Sequence, residues 1–212
     1  MRTRVLPSIM VKNQKDLSAS LKRLDGVAKK LHLDVGDGQF ILKKYLWFPF
    51  RLSKKFKYNA HLMVKNPEEW IKKNIHKVDE VVFHPESLKE EKIFSLIALI
   101  KQKKKKAGLA LKPETKVSVI KNFLPEIDYV LILTVHPGFY EAKFMATSLK
   151  KIELIKKINP KVKVIVDGGM KPGTIGKAVK AGGDYFVSGS FVTRAERPMA
   201  ALKELGRNLT KN

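Results

Sequence analysis

The segment 31–38 carries two side chains whose types and spacing suit metal or proton chemistry. Apolar and polar residues alternate along it, so a β-strand here points His32 and Asp34 to one face and its leucines to the other. An imidazole and a carboxylate two residues apart are well separated for two ligands of one metal. Gly-Asp-Gly over 36–38 then ends the strand in a turn, because glycine adopts backbone angles that other residues avoid. We therefore predict a site, rather than core packing, at the carboxyl end of this strand.

Strand-like segments that alternate with helical patterns must position these side chains. The predicted strands lie at 5–10, 31–38, 58–64, 80–85, 107–112, 129–135, 162–166 and 184–188. The predicted helices lie at 14–30, from 66 onward, at 87–104, up to 124, after the loop at 136–139, at 174–181 and at 198–209. The aromatic and basic segment 41–56 predicts a loop with a short helix. In the helix after the sixth strand, a stripe predicted to pack on a sheet comprises Leu149, Ile152, Ile155 and Ile158.

Eight strand–helix units in succession predict the fold class. Strands that alternate with helices pair in parallel, and eight such units close into a single-domain (β/α)8 TIM barrel over residues 1–212, with an active site at the carboxyl ends of the strands. An open doubly wound sheet is the alternative. That fold normally has a glycine-rich dinucleotide fingerprint after its first strand, and Pro-Ser-Ile-Met at 7–10 lacks one.

Several polar residues fall at predicted strand ends, where a barrel gathers them at one mouth. They are Ser8, His32, Asp34, His61, Asp167, Gly189 and Ser190. Two histidines and two aspartates supply nitrogen and oxygen ligands that suit zinc, iron, manganese or cobalt, and the residue types do not choose among these. His84 and His136 are interpreted as hydrogen-bonded structural residues. Any one of these residues has a structural explanation, and it is their co-occurrence at strand ends that favours a metal site.

The composition bounds the class of protein. The 212 residues suffice for one domain with a buried core, and a hydrophobic share of 44% is ordinary for a globular protein. The absence of cysteine excludes disulfides and thiolate metal sites. No apolar run approaches the ~20 residues of a membrane helix. A strand-like segment follows Met-Arg-Thr-Arg directly, so we expect no signal peptide and a cytoplasmic protein.

The chain is strongly basic. It has 43 lysines and arginines against 20 acidic residues, a formal charge of +23, which attracts anionic surfaces, nucleic acid and anionic small molecules. The densest run, residues 101–106, lies between a predicted helix and a strand. We interpret this excess as a lysine-rich solvated surface and expect neither a membrane nor a nucleic-acid partner.

Five motifs in order identify a family resemblance. They are His-Leu-Asp-Val-Gly-Asp-Gly at 32–38, His-Leu-Met-Val at 61–64, Gly-Leu-Ala-Leu-Lys-Pro-Glu-Thr at 108–115, Val-His-Pro-Gly-Phe at 135–139 and Val-Asp-Gly-Gly at 166–169. Over nearly its whole length the chain resembles the ribulose-phosphate 3-epimerases of the ribulose-phosphate-binding barrel superfamily. Each motif alone is weak, but five in the right order and strand context are specific.

The resemblance implies a metal-dependent isomerase of carbohydrate metabolism. It implies one divalent metal ion held by His32, Asp34, His61 and Asp167, with Asp34 and Asp167 as the catalytic acid/base pair. The implied reaction is epimerisation at C3 of a ketose phosphate through an enediolate, most directly D-ribulose 5-phosphate to D-xylulose 5-phosphate in the pentose phosphate pathway. The implied substrate-binding residues are Ser8, His61, Gly138, Phe139, Gly168, Gly169, Gly189 and Ser190. We also expect a homo-oligomer.

The sequence departs from the family pattern where the substrate is shaped. The family's Gly-Gly-Gln after Pro-Gly-Phe is replaced by Tyr-Glu-Ala at 140–142, which puts a ring and an anion where backbone amides approach a phosphate. Gly36 and Leu133 replace two cavity-lining methionines, while Met63 is retained. The family's His-Phe-Val-Pro-Asn reads Gln-Phe-Ile-Leu-Lys at 39–43. A related epimerase acting on another ketose or ketose phosphate is therefore an alternative.

Two further alternatives belong to other classes. The charge of +23 leaves open a catalytically weakened barrel that binds polyanions through its lysines. The retention of both histidines and both aspartates argues against it. The orotidine-decarboxylase-like branch of the superfamily carries Asp-x-Lys-x-x-Asp on this strand. Here Asp34-Val-Gly-Asp37 has no such lysine, so decarboxylase or aldol-type synthase activity is disfavoured.

Overall fold

A computed structural model describes residues 4–137 and 143–209, and it confirms the (β/α)8 barrel. The strands of these residues are β1 (Val5–Ile9), β2 (Lys30–Asp37), β3 (Lys44–Tyr45), β4 (Lys57–Met63), β5 (Glu80–Phe83), β6 (Lys106–Leu111), β7 (Tyr129–Leu133), β8 (Lys163–Asp167) and β9 (Tyr185–Ser188). Eight of them pair in parallel in the order β1-β9-β8-β7-β6-β5-β4-β2, and the β1–β2 pairing closes the barrel. The short β3 instead pairs antiparallel with the end of β2.

Helices surround the barrel. The α-helices are α1 (Gln14–Leu24), α2 (Pro67–Asn74), α3 (Glu90–Gln102), α4 (Lys150–Ile158), α5 (Pro172–Lys180), α6 (Ser190–Thr193) and α7 (Pro198–Arg207). Short 3-10 helices cover Ile75–Lys77, Pro85–Ser87, Val117–Phe123 and Ala146–Leu149. Their buried apolar residues pack on the outer faces of the strands in one large cluster. Within the two described ranges, no helix combines the length and apolar character needed to cross a bilayer.

Four local predictions were wrong. The helix predicted over 14–30 ends at Leu24, because Asp25 is extended and Gly26 has a φ of +74°, so the chain turns before β2. The fifth unit has a 3-10 helix in place of an α-helix. Segment 41–56 contains β3 and no helix. Ile158, expected in the packed stripe, is 45% exposed and is the last residue of α4.

The barrel interior is filled in layers. Inward-facing side chains of several strands form a second apolar cluster that includes Leu131, Ile165 and Val187. Below it, the Glu80 carboxylate accepts hydrogen bonds from Asn59 Nδ2 (2.9 Å) and the Tyr129 hydroxyl (2.8 Å). Lys30 Nζ lies 2.6 Å from the same carboxylate. This paired polar layer closes the amino end of the barrel, so solvent reaches the interior from the carboxyl end.

Three aspartates organise the amino ends of the strands. Asp79, Asp128 and Asp184 precede β5, β7 and β9, and each accepts a main-chain N–H at the start of the neighbouring strand, at 2.9, 3.0 and 2.9 Å. The lysine-rich segment 101–106 runs into β6 at this same end. The densest positive charge therefore lies at the barrel end opposite the polar strand ends.

Candidate active site and metal centre

The two histidines and two aspartates singled out by the sequence converge. Adjacent β2 and β4 place Asp34 level with His61 in the parallel register, His32 lies one pleat below, and Asp167 ends β8. Nε2 of His32 is 3.5 Å from Asp34 Oδ1 and 3.7 Å from Asp167 Oδ2. Nδ1 of His61 is 3.5 and 3.4 Å from the same two oxygens. The four residues can each offer one ligand atom, and these four atoms all lie within 4.8 Å of one another. No other group of three or more potential ligands among the described residues does so.

The donor set fits a divalent cation. Both imidazoles are fully buried, and neither His32 Nε2 nor His61 Nδ1 has a hydrogen-bond partner in the described part of the chain. Separations of 3.4–3.7 Å exceed the usual 2.7–3.2 Å of such bonds. An unpaired buried nitrogen is costly, and a cation among the four donor atoms would satisfy it. Two imidazoles and two carboxylates suit a borderline metal.

The electrostatics keep the cluster ionised. Burial acts to raise the pKa of Asp34, but the close His32 and His61 rings outweigh burial and hold that pKa well below its usual range. Burial acts to lower the pKa of His61, but Asp167 and Asp34 outweigh it and raise that pKa to about 9. Asp34 is therefore a carboxylate at neutral pH, which is the state that a general base needs.

A cavity of about 630 Å³ opens above the cluster. Asp34 and Asp167 border it, whereas His61, which was also expected to contact substrate, is fully buried beneath. Among the other predicted substrate contacts, the cavity is lined by Ser8, Gly168, Gly169, Gly189 and Ser190. The predicted residues Gly138 and Phe139, and the substituted 140–142, lie outside the described residues.

The turn after β8 is fixed by a residue that the sequence did not reveal. Thr134 belongs to none of the sequence motifs. Its Oγ1 nevertheless donates hydrogen bonds to the carbonyl oxygens of Asp167 (3.0 Å) and Gly168 (2.6 Å). Gly168 has a φ of +112°, and a Cβ there would lie 2.5 Å from Val135 Cγ2. Only glycine therefore fits this position, and the turn presents Asp167 to the cavity in one orientation.

Gly36, where the family has methionine, has a backbone explanation. A Cβ on it would lie 2.6 Å from Ile41 Cδ1 and 2.8 Å from the Lys43 carbonyl oxygen, because β3 folds back onto this part of β2. Ile41 and Tyr45 are buried with the retained Met63 in a small apolar cluster. The segment after β2 thus supplies the volume that a methionine would occupy.

Two lysines border the cavity beside the glycine turns. Lys143 and Lys171 line it together with Gly169 and Gly189, and both side chains are exposed. Neither has an acidic ion-pair partner within residues 4–137 and 143–209. The sequence alone did not place these two charges.

The two remaining strand-end histidines differ. His84, interpreted as a structural residue, is fully buried and bonded on both sides: its Nε2 lies 2.9 Å from His61 Nε2 and its Nδ1 lies 3.0 Å from Glu86 Oε2. The sequence did not reveal that His84 contacts the cluster. His136 is exposed, with Nδ1 3.9 Å from Glu114 Oε2, so the expectation of a hydrogen-bonded structural residue was wrong there.

A closed (β/α)8 barrel with two histidines and two aspartates at its strand ends, beneath an open cavity, defines a class of barrel enzymes with a candidate metal site. A sequence model of the ribulose-phosphate 3 epimerase family matches residues 4–193. The ribulose-phosphate 3-epimerase of Candida glabrata is 31% identical over 98% of this chain and 92% of its own length. That of Aquifex aeolicus is 33% identical over 85% of this chain and 84% of its own length. The chain belongs to the ribulose-phosphate 3-epimerase family, and it is an isomerase acting on carbohydrates.

Solved structures support the fold. A 3-hexulose-6-phosphate synthase from Salmonella typhimurium has a TM-score of 0.70 at 14% identity and covers 99% of this chain and 98% of its own. An orotidine 5'-monophosphate decarboxylase from Sulfolobus solfataricus has a TM-score of 0.69 at 14% identity, with 98% and 97% covered. At these identities the likeness concerns the barrel alone.

Proposed function

We propose that the chain is a metal-dependent ketose-phosphate 3-epimerase that interconverts D-ribulose 5-phosphate and D-xylulose 5-phosphate. The observation that carries this proposal is the pair of carboxylates, Asp34 and Asp167, on the floor of the cavity against two buried histidines. Asp34 projects from β2 and Asp167 from β8, so they border the cavity from two different strands.

Epimerisation next to a ketone requires two proton transfers. One carboxylate removes the proton from C3, and the electrons of the C–H bond move onto the C2 carbonyl oxygen to give the enediolate of the sugar. The other carboxylic acid returns a proton to the opposite face of C3, and the carbonyl reforms. Since Asp34 and Asp167 each start the reaction in one direction, one must be ionised while the other is protonated.

The metal has a defined place in this proposal. His32, Asp34, His61 and Asp167 would hold one divalent ion, either zinc, iron, manganese or cobalt. When bound, it supplies positive charge that stabilises the negative oxygens of the enediolate and keeps a nearby carboxyl ionised. The residues of the chain perform the proton transfers.

The rest of the cavity would bind the sugar phosphate. Ser8, which lines the cavity, would hydrogen-bond a sugar hydroxyl, and main-chain amides of Gly168, Gly169, Gly189 and Ser190 would contact the phosphate. Lys143 and Lys171 add positive charge there. Contacts from Gly138 and Phe139 are proposed from the family resemblance.

Exchange of solvent deuterium into C3 of ribulose 5-phosphate tests the proposal. We expect exchange with the metal-loaded protein, loss of exchange after chelation, and recovery when metal returns. Asp34→Asn should abolish exchange, whereas Glu204→Gln, which changes an exposed carboxylate on α7, should not. Undiminished exchange in the metal-stripped protein would refute the mechanism.

A related ketose phosphate is the second candidate substrate. The rebuilt segment at Ile41 and the presence of Leu133 on the cavity wall favour it, because both change the shape offered to the sugar. Turnover on ribulose 5-phosphate compared with a panel of hexulose 6-phosphates separates the two. Turnover confined to a hexulose would replace the first substrate with the second.

The oligomeric state and the cellular location of the protein remain predictions. A homo-oligomer is expected, and light scattering of the purified chain measures it. A cytoplasmic location is expected, and fractionation of the source cells measures that.

A further inference from the structure

We propose that Glu86, acting through His84, is a positioning residue that sets which nitrogen of His61 carries a proton, so that His61 presents a lone pair at Nδ1 to the metal. The inference rests on the metal site of the proposed function. Its basis is a continuous hydrogen-bonded chain of side chains that runs from the cluster out to Glu86.

The hydrogen bonds of Glu86, at the outer end of this series, determine which nitrogen of His84 carries a hydrogen. Glu86 Oε1 accepts hydrogen bonds from the Thr115 hydroxyl (2.7 Å) and from the Lys112 main-chain N–H (3.0 Å), which can only donate. The other oxygen, Oε2, lies 3.0 Å from His84 Nδ1. A carboxylate that accepts on both oxygens requires a donor at His84, so His84 Nδ1 carries a hydrogen.

The position of the hydrogen on His84 determines the position of the hydrogen on His61. A neutral imidazole with its hydrogen on Nδ1 has a lone pair on Nε2. The two Nε2 atoms of His84 and His61 are 2.9 Å apart, a contact that needs one donor and one acceptor. His61 must therefore donate from Nε2.

At the inner end of this series of hydrogen bonds, the tautomer of His61 affects the metal site. With a hydrogen held on Nε2, His61 can release its Nδ1 proton when a metal ion binds and offer Nδ1 as the ligand, and that atom faces Asp34 and Asp167 at 3.5 and 3.4 Å. The opposite tautomer would direct an N–H at the cation. Outer partners of this kind orient ligands in metal sites, and their loss typically weakens metal binding by about 10–100-fold.

Phe40, in the segment after β2 that departs from the family pattern, covers the hydrogen-bonded side chains from His61 to Glu86. The ring of Phe40 packs on His84 with centroids 4.6 Å apart, and Lys112 Nζ lies 4.1 Å from the Phe40 centroid. These contacts restrict rotation of His84 and keep water from its ring. The orientation of His84 is thus held by packing as well as by hydrogen bonds.

The wild-type protein provides the first test. Long-range ¹⁵N–¹H NMR of the histidine-labelled protein, with Zn²⁺ bound, reports which nitrogen of each ring is protonated. We expect His61 with a hydrogen on Nε2 and His84 with a hydrogen on Nδ1. A Zn²⁺-bound protein in which His61 has no hydrogen on Nε2 would overturn the proposal without any variant.

Variants provide the second test. In Glu86→Gln the side-chain oxygen stays with the Lys112 main-chain N–H, which can only donate, so the side-chain NH2 faces His84 Nδ1 and the order of protons is reversed. We expect the hydrogen of His84 to move from Nδ1 to Nε2 and Zn²⁺ affinity, measured by chelator competition, to fall about 10–100-fold. Glu86→Asp retains a carboxylate and should restore part of the affinity. The matched control is Glu114→Gln at the exposed His136–Glu114 pair, which should change neither readout.

The outcomes separate this inference from the proposed function. Unchanged NMR signals and unchanged Zn²⁺ affinity in folded Glu86→Gln would overturn the role of Glu86. If wild-type protein gives the expected signals and binds Zn²⁺ but exchanges no deuterium into ribulose 5-phosphate, the proposed substrate fails and the positioning role stands.

Discussion

The two ends of the cavity are built differently. At the metal end, His32, Asp34, His61 and Asp167 project from barrel strands, and most of them are buried. At the end that the proposed function assigns to the phosphate, glycine turns and the exposed Lys143 and Lys171 border the opening. In the proposed function, the reaction chemistry thus depends on strand residues and the substrate recognition depends on loop residues.

The difference follows from how each end is held. A strand residue is fixed by two neighbouring strands and by core packing, so its position survives changes elsewhere in the sequence. Loop residues have fewer partners and tolerate substitution. This division makes the reaction type less sensitive to substitution than the choice of substrate.

The largest effect is expected at the metal end. Asp167→Asn removes a carboxylate that borders the cavity, so kcat should fall roughly 10²–10⁴-fold, as is typical of a lost general acid or base. Steady-state kinetics on the metal-loaded protein measure it. A change confined to KM would mean that Asp167 binds the substrate without transferring a proton.

The next effect is expected at Gly36. Restoring the family's methionine with Gly36→Met should lower the free energy of unfolding by about 2–3 kcal/mol, since the Cβ would meet Ile41 and the Lys43 carbonyl. Urea denaturation measures it, with Gly206→Met as control because nothing lies within 4 Å of that position. Equal stability of both variants would show that β3 does not constrain Gly36.

A smaller effect is expected at the phosphate end. The double variant Lys143→Gln/Lys171→Gln should raise KM for the sugar phosphate about tenfold at low salt and leave kcat nearly unchanged, because it removes charge that binds ground and transition states alike. Lys177→Gln, an exposed lysine on α5 away from the cavity lining, is the control. A drop in kcat with constant KM would place these lysines in the chemical step.

The smallest effect concerns pH. Burial acts to raise the pKa of Glu86, but its bonds with His84, Lys112 and Thr115 outweigh burial and lower it from 4.5 to about 2. The folded-state pKa is the lower one, so Glu86 stabilises the fold above pH 4.5, and this contribution is lost as the pH falls toward 2. Between pH 6 and pH 3.5, wild type should lose roughly 1 kcal/mol more stability than Glu86→Gln. Equal losses in urea titrations would contradict this.

The sequence predicted the barrel and the convergence of its ligands for a definite reason. Alternation places His32 and Asp34 on one face of a strand, and parallel strands bring His61 and Asp167 to the same end. The antiparallel β3 escaped prediction because two residues carry no periodic signal. His84 escaped because its contact with His61 depends on side-chain orientation across neighbouring strands, which spacing along the chain does not encode.

The closure of the barrel between its first and last strands bears on how the protein is made. One edge of β1 pairs with β2, and the other pairs with β9, with Val5 opposite Phe186. During synthesis from the amino terminus, that second edge has no partner until β9 leaves the ribosome, and an open strand edge invites pairing with other chains. A nascent chain released before residue 167 would carry three of the four ligands on an unclosed sheet. The centre is therefore completed only when nearly the whole chain has been translated.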